Sequence, residues 1–304
     1  MSRGRFKTGT FKVGTFETAG FELRYRRRRL ARGRATLVWG AVLLSALAVS
    51  AWMSDVSPAA LLAGLPRAGQ YFAKLVPNLQ WRHLVDGPQT EGSFAYWFYR
   101  IDVWLRLLLQ TSQMAALATL LGAALALPLC FPASANLAPN YATYFVFRRL
   151  LELFRSVPDL VYALILVWAF GVGPLAGILA IMLHTVGALG KLFAEVVENA
   201  DMRPWDGVCA TGGTWAQAVR YAILPQVAPN FLSYVLLRFE INVRGATVIG
   251  FVGAGGIGQE LYAVISFNYY QEISAIVVLI ILTVSLIDLL SERLRSRAMG
   301  EAAP

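Results

Sequence analysis

RPWDGVCATGGTWAQAVRYAILPQVAPN, residues Arg203 to Asn230, is a polar insert lodged between two long apolar runs. It opens near an acidic residue, Asp206, breaks at Gly212 and closes on Leu224-Pro225. Glycine tolerates the backbone conformations that stop a helix, and proline lacks an amide donor. The stretch therefore reads as two short amphipathic pieces divided by a turn and ended at a membrane boundary. An element of this kind, held at a membrane surface, is built to dock a soluble partner.

The composition on either side supports the membrane. Hydrophobic residues make up 57% of the 304 and charged residues 15%, too apolar for an ordinary soluble domain. A helix needs about 20 apolar residues to cross the roughly 30 Å hydrocarbon layer. Six runs approach or reach that length: Thr36–Met53, Leu107–Phe131, about Tyr144–Gly171, Leu175–Val197, Val227–Val252 and Ile273–Leu290. Spanning backbone must satisfy its own hydrogen bonds, and the alternation of barrel strands is absent. The fold class expected is an all-α membrane protein with six transmembrane helices.

The net charge of +9 resembles a nucleic-acid signal until it is located. Residues 1–35 hold eleven Lys and Arg against Glu17 and Glu22, which accounts for the whole excess. The charge belongs to a tail beside the first span, not to a nucleic-acid surface, and basic flanks stay in the cytoplasm. Six crossings return the basic SERLRSR, Ser291 to Arg297, to the same side. Both termini and the 203–230 insert are thus expected inside, and the Lys- and Arg-free connections 171–174 and 253–272 outside. The first run is long and ends in Ala51-Trp52-Met53, a poor cleavage site, so it is read as a span rather than a signal peptide. Cys130 and Cys209 imply no disulfide framework. The expected organisation is a disordered basic cytoplasmic tail at 1–35, a first span at 36–53 and an external loop at 54–105. A five-helix core follows at 106–292, with a cytoplasmic loop at 199–226, and then a tail at 293–304. The tail repeat FKTGTFKVGTFETAGF is low in complexity.

The fifth run carries Arg238, Glu240, Asn242 and Arg244 at membrane depth. Ionisable groups there cost a few kcal/mol each on insertion scales (roughly 2.5–3.5), so they face a partner or a water-filled path. Glu240 and Arg244 are four apart and can pair along one face, which Asn230, Ser233 and Thr247 extend. The fourth run carries a similar face of His184, Lys191, Glu195 and Glu198. The two stripes suggest one shared aqueous pathway; the alternative is structural ion pairs that lock helices together. For His184 alone the structural role is favoured, since nothing nearby supplies a second metal ligand. Gly253, Gly255 and Gly258, with Gly256 between them, satisfy G-x-G-x-x-G. They follow a membrane helix rather than a strand and lack the Lys-Ser/Thr of a phosphate loop. Close packing or a hinge at the outer mouth is the better account. No catalytic constellation and no metal set is expected.

The insert resembles the coupling loop of ABC importer permeases, whose pattern is an E-A-A opening, a glycine six residues after the glutamate and a closing I-x-L-P. Asp206 stands at the acidic position, and Gly212, Leu224 and Pro225 match in register, while Gly207 and Val208 replace the two alanines and Ala222 the isoleucine. Ala210 lies in the same short helix. With RSVPDLVYALILVWAFGVGPLAGILAIMLHT and RFEINVRGATVIGFVGAGGIG, the chain resembles the permease subunit of a phosphonate ABC importer over roughly residues 100–297. The resemblance implies a type I, methionine-permease-like bundle in the bacterial inner membrane. It also implies a second copy of the permease, two cytoplasmic ATPase subunits and an external solute-binding protein. ATP and magnesium would sit on the ATPase, with no cofactor on this chain. The nearest alternative is the same architecture carrying phosphite, hypophosphite or another small solute; a membrane-embedded enzyme or a channel is the remote one.

Overall fold

A computed structural model describes residues 15–55, 57–298 and 300; the first part of the basic tail, residues 1–14, lies outside the described residues. The chain divides into two units, residues 1–72 and 73–304. Every described element is helical.

In the first unit, α1 (Thr15–Met53) is a single helix of 39 residues. Its basic start, expected to be disordered, is helical from Thr15 onward. The stretch RYRRRRLAR contains no proline or glycine, and Arg, Leu and Ala are strong helix formers. The loop expected at 54–105 also holds a helix, α2 (Pro58–Leu75), whose start is capped by Ser57 Oγ accepting from the Ala60 amide at 3.0 Å.

The second unit continues with α3 (Phe94–Trp97), α4 (Ile101–Cys130), α5 (Tyr141–Ser156), α6 (Asp159–Phe170) and α7 (Pro174–Glu198). After α8 (Arg203–Ala210) and α9 (Trp215–Ala218), a π turn at Val219–Ile223 leads into α10 (Leu224–Ile249). A 3₁₀ turn, Gly250–Val252, precedes α11 (Gly256–Ser266) and α12 (Tyr270–Ala298). Among the described residues, four helices are long and apolar enough to cross a membrane: Arg27–Met53, Ile101–Cys130, Pro174–Glu198 and Tyr270–Arg297. The helix Trp215–Val252 and α11, bent by 48° at the break between them, make a fifth when the pair is taken as one span.

The third expected span is corrected: the run from 144 to 171 is two helices, not one. Pro158 cannot donate a hydrogen bond and pushes the residue before it out of helical space, and Val157 accordingly sits at φ −83°, ψ 122°. The first half, α5, is amphipathic and carries Arg148, Arg149, Glu152 and Arg155; α6, 12 residues long, carries no charge after its first residue, Asp159.

The helix α7 packs against α4, α5, α6 and α10. Small residues let its neighbours approach. A Cβ on Gly187 would lie 2.5 Å from the Arg155 amide nitrogen, and one on Gly190 would lie 2.4 Å from Leu151 Cδ2, so α5 rests almost backbone to backbone on α7. Three apolar clusters run along the bundle. One holds Phe131, Leu151, Leu189, Phe193 and Phe231, with Phe193 and Phe231 stacked at 4.1 Å. A middle cluster holds Ala118, Ala180, Ile181, Val243 and Ala246, and the third Trp104, Leu108, Ile257 and Ile276.

Candidate functional site

The element α8 is short and two-faced. Met202, Trp205 and Val208 are half-buried, and Met202 and Trp205 pack on the core cluster around Phe193; Arg203, Asp206, Gly207 and Ala210 are exposed on the opposite side. Nothing lies within 4 Å of where a Cβ on Gly207 or Gly212 would be, so the outward surface is flat and open. The helix ends by a left-handed glycine. Gly212, at φ +84°, donates to Cys209 O at 3.0 Å, and Gly213 donates to Val208 O at 3.0 Å, which satisfies two carbonyls that the helix end would leave bare. Thr214 and Gln217 then form a reciprocal capping box that starts α9.

Three anchors hold this insert to the bundle. Trp215 Nε1 donates to Leu137 O at 2.9 Å, with its ring edge-on to Phe131 at 6.5 Å. Asn136 Nδ2, on the loop after α4, donates to Val197 O at 2.9 Å and to Met202 Sδ, at the entry to α8, at 3.4 Å. Gln226 exchanges hydrogen bonds with the Asp201 backbone, both at 3.1 Å. Leu224 and Pro225 lie where expected, at the start of α10. The Leu224 amide bonds back five residues to Val219 O, so the turn before Pro225 is one residue wider than an α turn.

The two polar stripes go to different partners. On α7, Glu198 accepts from Arg148 Nη1 at 3.2 Å and from the Ala135 amide at 3.0 Å; Glu195 lies 3.9 Å from the same arginine, and Lys191 Nζ lies 3.9 Å from Glu152. This stripe is paired with α5, and Glu195 also lines a cavity of about 430 Å³ together with Asn230 and Tyr234 of α10. His184 Nδ1 lies 3.0 Å from Val157 O, and since a carbonyl can only accept, the ring donates to the backbone at the break before α6. Arg148 and Glu152 were overlooked because the run containing them was read as one span; the heptapeptide RRLLELF was the available signal.

On α10 the residues divide further. Asn242 is buried, and its amide donates to Thr119 Oγ1 at 2.8 Å and Thr185 Oγ1 at 2.9 Å, tying α4, α7 and α10 together. Arg244 pairs with Glu240 and reaches Asp288 Oδ1 of α12 at 3.8 Å, while its side chain stays 51% exposed. Arg238 buries its Nε without a hydrogen-bond partner and is attracted by Asp159 at the start of α6. A Cβ on Gly245 would lie 3.2 Å from Asp159 Oδ2, so the glycine leaves room for that carboxylate. Asp159 and Asp288 complete the charged cluster, and neither was singled out from the sequence. Their partners lie far away along the chain.

The glycine-rich segment is packed solid. Gly253 (φ +88°) accepts from the Gly173 amide at 2.9 Å; a Cβ on Gly255 would meet the Pro174 ring at 3.3 Å, and one on Gly256 would meet Thr111 Oγ1 at 2.4 Å. A Cβ on Gly258 would lie 1.9 Å from Thr247 O. Thr111 Oγ1 accepts from the Ile257 amide at 2.9 Å and donates to Leu107 O at 2.8 Å. The glycines close a tight turn between α10 and α11 and leave no cradle for a phosphate. No group of three or more His, Cys, Asp or Glu able to hold a metal occurs among the described residues.

The molecule is thus a helical bundle with an exposed short helix, α8, and charges along the inner helix α10. The binding-protein-dependent transport system inner membrane component family matches residues 118–297, and the chain belongs to it. Among its relatives, the phosphite transport system permease protein PtxC of Stutzerimonas stutzeri is 37% identical over 263 residues, 86% of this chain and 88% of that one. A protein of Escherichia coli (strain K12) named as a cryptic phosphonate transport system permease is 51% identical over 117 residues, 38% of this chain and 96% of that one. The MetNI methionine ABC transporter in inward-facing conformations is similar in fold, with a TM-score of 0.58 at 19% identity over 66% of this chain and 98% of that one. The resemblance to a phosphonate-type ABC importer permease therefore holds, as does the type I bundle. The chain is a multi-pass inner-membrane transport subunit, not an enzyme, and it works with a separate ATPase and a solute-binding protein.

Proposed function

We propose that this chain passes a phosphonate, or a related phosphorus oxyanion, across the cytoplasmic membrane as a dimer of two copies with both termini inside. Two ATPase subunits, which hold the ATP and magnesium, dock on the outward face of α8 formed by Arg203, Asp206, Gly207 and Ala210. An external solute-binding protein delivers the anion to the glycine-rich end. ATP-driven closure of the ATPase pair moves α8, and the three anchors at Leu137, Val197 and Asp201 pass that movement to α4, α7 and α10.

The observation that carries the reading is Arg244, half-exposed at membrane depth beside Glu240 and Asp288. A charge this accessible is not stable against lipid and faces a water-filled route or another subunit. Two arginines on α10 supply positive potential for an anion, and relatives named for phosphite and phosphonate transport agree with that sign. The test is uptake into vesicles holding the permease, its ATPase and its binding protein, with phosphonates, phosphite and phosphate compared. Arg244→Gln lowers uptake roughly tenfold, the factor that about 1.4 kcal/mol of lost attraction gives. Unchanged uptake with normal assembly defeats the charged-path reading. Asp206→Lys abolishes substrate-stimulated ATP hydrolysis while the bundle stays folded; full stimulation in that variant rules out the docking face.

A further inference from the structure

At the end of the bundle where α4 and α12 both begin, a cleft of about 560 Å³ opens between the segment 74–99 and the turn joining α11 to α12. The whole of this segment precedes residue 118, where the family match begins. Its floor is fixed: Trp97 Nε1 donates to Gln271 O and Ser274 Oγ, both at 3.1 Å, and Tyr99 donates to Glu272 at 2.8 Å. Arg100 closes the neighbouring side on Glu260 at 2.8 Å. Glu260 is therefore ion-paired, while Glu272, which lines the cleft, accepts from Tyr99 and keeps its charge.

Beside Glu272, the lining offers a ligand one cation and several hydrogen-bond donors. Lys74, the last basic residue of α2, places its ammonium 5.2 Å from the centre of the Tyr270 ring, and no ion pair engages it among the described residues. Tyr96, Tyr269, Asn268 and Gln271 line the same space. Phenols, amides and an ammonium together form a seat for an oxyanion. The first turns of two membrane helices meet here, which sets the cleft at the boundary between hydrocarbon and water, where Tyr and Trp concentrate.

Below the cleft α12 continues as an apolar ridge. Ser274, Val277 and Ile281 follow Tyr270 at helical spacing, and Val277 and Ile281 are exposed. Eleven residues of helix rise roughly 16 Å, close to the roughly 15 Å depth of one hydrocarbon leaflet. An anion seat at the boundary, continuous with an exposed apolar track one leaflet deep, has the two chemistries of one molecule. We infer that this cleft binds a phospholipid, its phosphate held at Lys74 and the tyrosine hydroxyls, with one acyl chain laid along Val277 and Ile281. The bound lipid would fill the space between the 74–99 segment and α12.

The phosphate chemistry is shared with free phosphorus oxyanions, so the experiment separates the two sources. Full-length protein in mild detergent is titrated with phosphatidylglycerol and weighed intact by native mass spectrometry, with and without excess inorganic phosphate. Wild type retains a phospholipid that Lys74→Gln binds about fivefold more weakly. Lys74→Arg restores the binding, and Arg67→Gln, an exposed cation outside the cleft lining, leaves it at the wild-type level. Equal lipid occupancy in wild type and Lys74→Gln overturns the inference. So does Lys74-dependent binding of inorganic phosphate that displaces the lipid, which would make the cleft a site for the free anion. An even elution profile for each variant on size exclusion verifies that the comparison is between folded proteins.

Discussion

Substituting alanine at Gly258 tests whether the glycine-rich turn is a packing device. The added Cβ would stand 1.9 Å from Thr247 O and 3.0 Å from the Gly250 Cα. Real Cβ contacts stay beyond 3.0 Å, so α10 and α11 must separate by roughly 1 Å or more, and both obstacles are backbone that no side-chain rotation can move aside. Overpacking of this kind costs about 1–3 kcal/mol. For a chain of this size that corresponds to a fall in apparent melting temperature of roughly 2–12 °C. Gly250→Ala strikes the same contact from the other side, 2.7 Å from the Gly258 Cα, and costs a similar amount. Because either substitution alone prises the turn apart, the double variant loses less than the sum of the two. The assay is thermal unfolding of purified protein in detergent, with Gly207→Ala as control: that position is helical with open space around it, and alanine there is neutral or slightly stabilising. A Gly258→Ala protein that melts with wild type, or fully additive losses in the double variant, refutes the reasoning.

Two further expectations concern other contacts. Asn242→Leu keeps the branching of the side chain but removes two buried hydrogen bonds to Thr119 and Thr185, and it lowers stability by about 1 kcal/mol, since bonds of this kind within membranes average roughly 0.6 kcal/mol; a more stable variant in the same melting assay would show that the knot serves specificity alone. Partial burial, and then the hydrogen bond to Glu272, raise the Tyr99 phenol above its ordinary value. The folded state therefore holds that proton more tightly, so the contribution is complete below the ordinary tyrosine range near pH 10 and is lost as pH rises through the raised value. Tyr99→Phe flattens the alkaline fall in melting temperature, and an unchanged slope counts against the contact.

The apolar runs and the insert were legible because both are local. Hydropathy marks a span within a few turns of helix, and Gly212 and Leu224-Pro225 announce breaks through their own backbones. The third run failed at Val157-Pro158-Asp159. A proline followed by a side chain able to cap the next helix was in plain view, yet the apolar residues on both sides outweighed it. The polar stripes show a different limit. Periodicity showed that Lys191, Glu195 and Glu198 share a face, but not that the face pairs with Arg148 and Glu152. The same holds for Asn242, whose partners are 123 and 57 residues distant. Pairing across a bundle depends on which helices become neighbours, and no window of sequence contains that.

The five-residue turn Val219–Ile223 fixes an azimuth. α9 and α10 form one almost unbroken rod through it, so the number of residues in the turn decides which way Trp215 and the rest of the insert point around the rod. Deleting any one of the five would return the spacing to 3.6 per turn and swing Trp215 by about 100° away from Leu137. Exchanging one side chain for another would leave the heading alone. Between the docking face and the charged helix, chain length sets the heading, and this segment tolerates exchange at the exposed Arg220 and Tyr221 but no deletions.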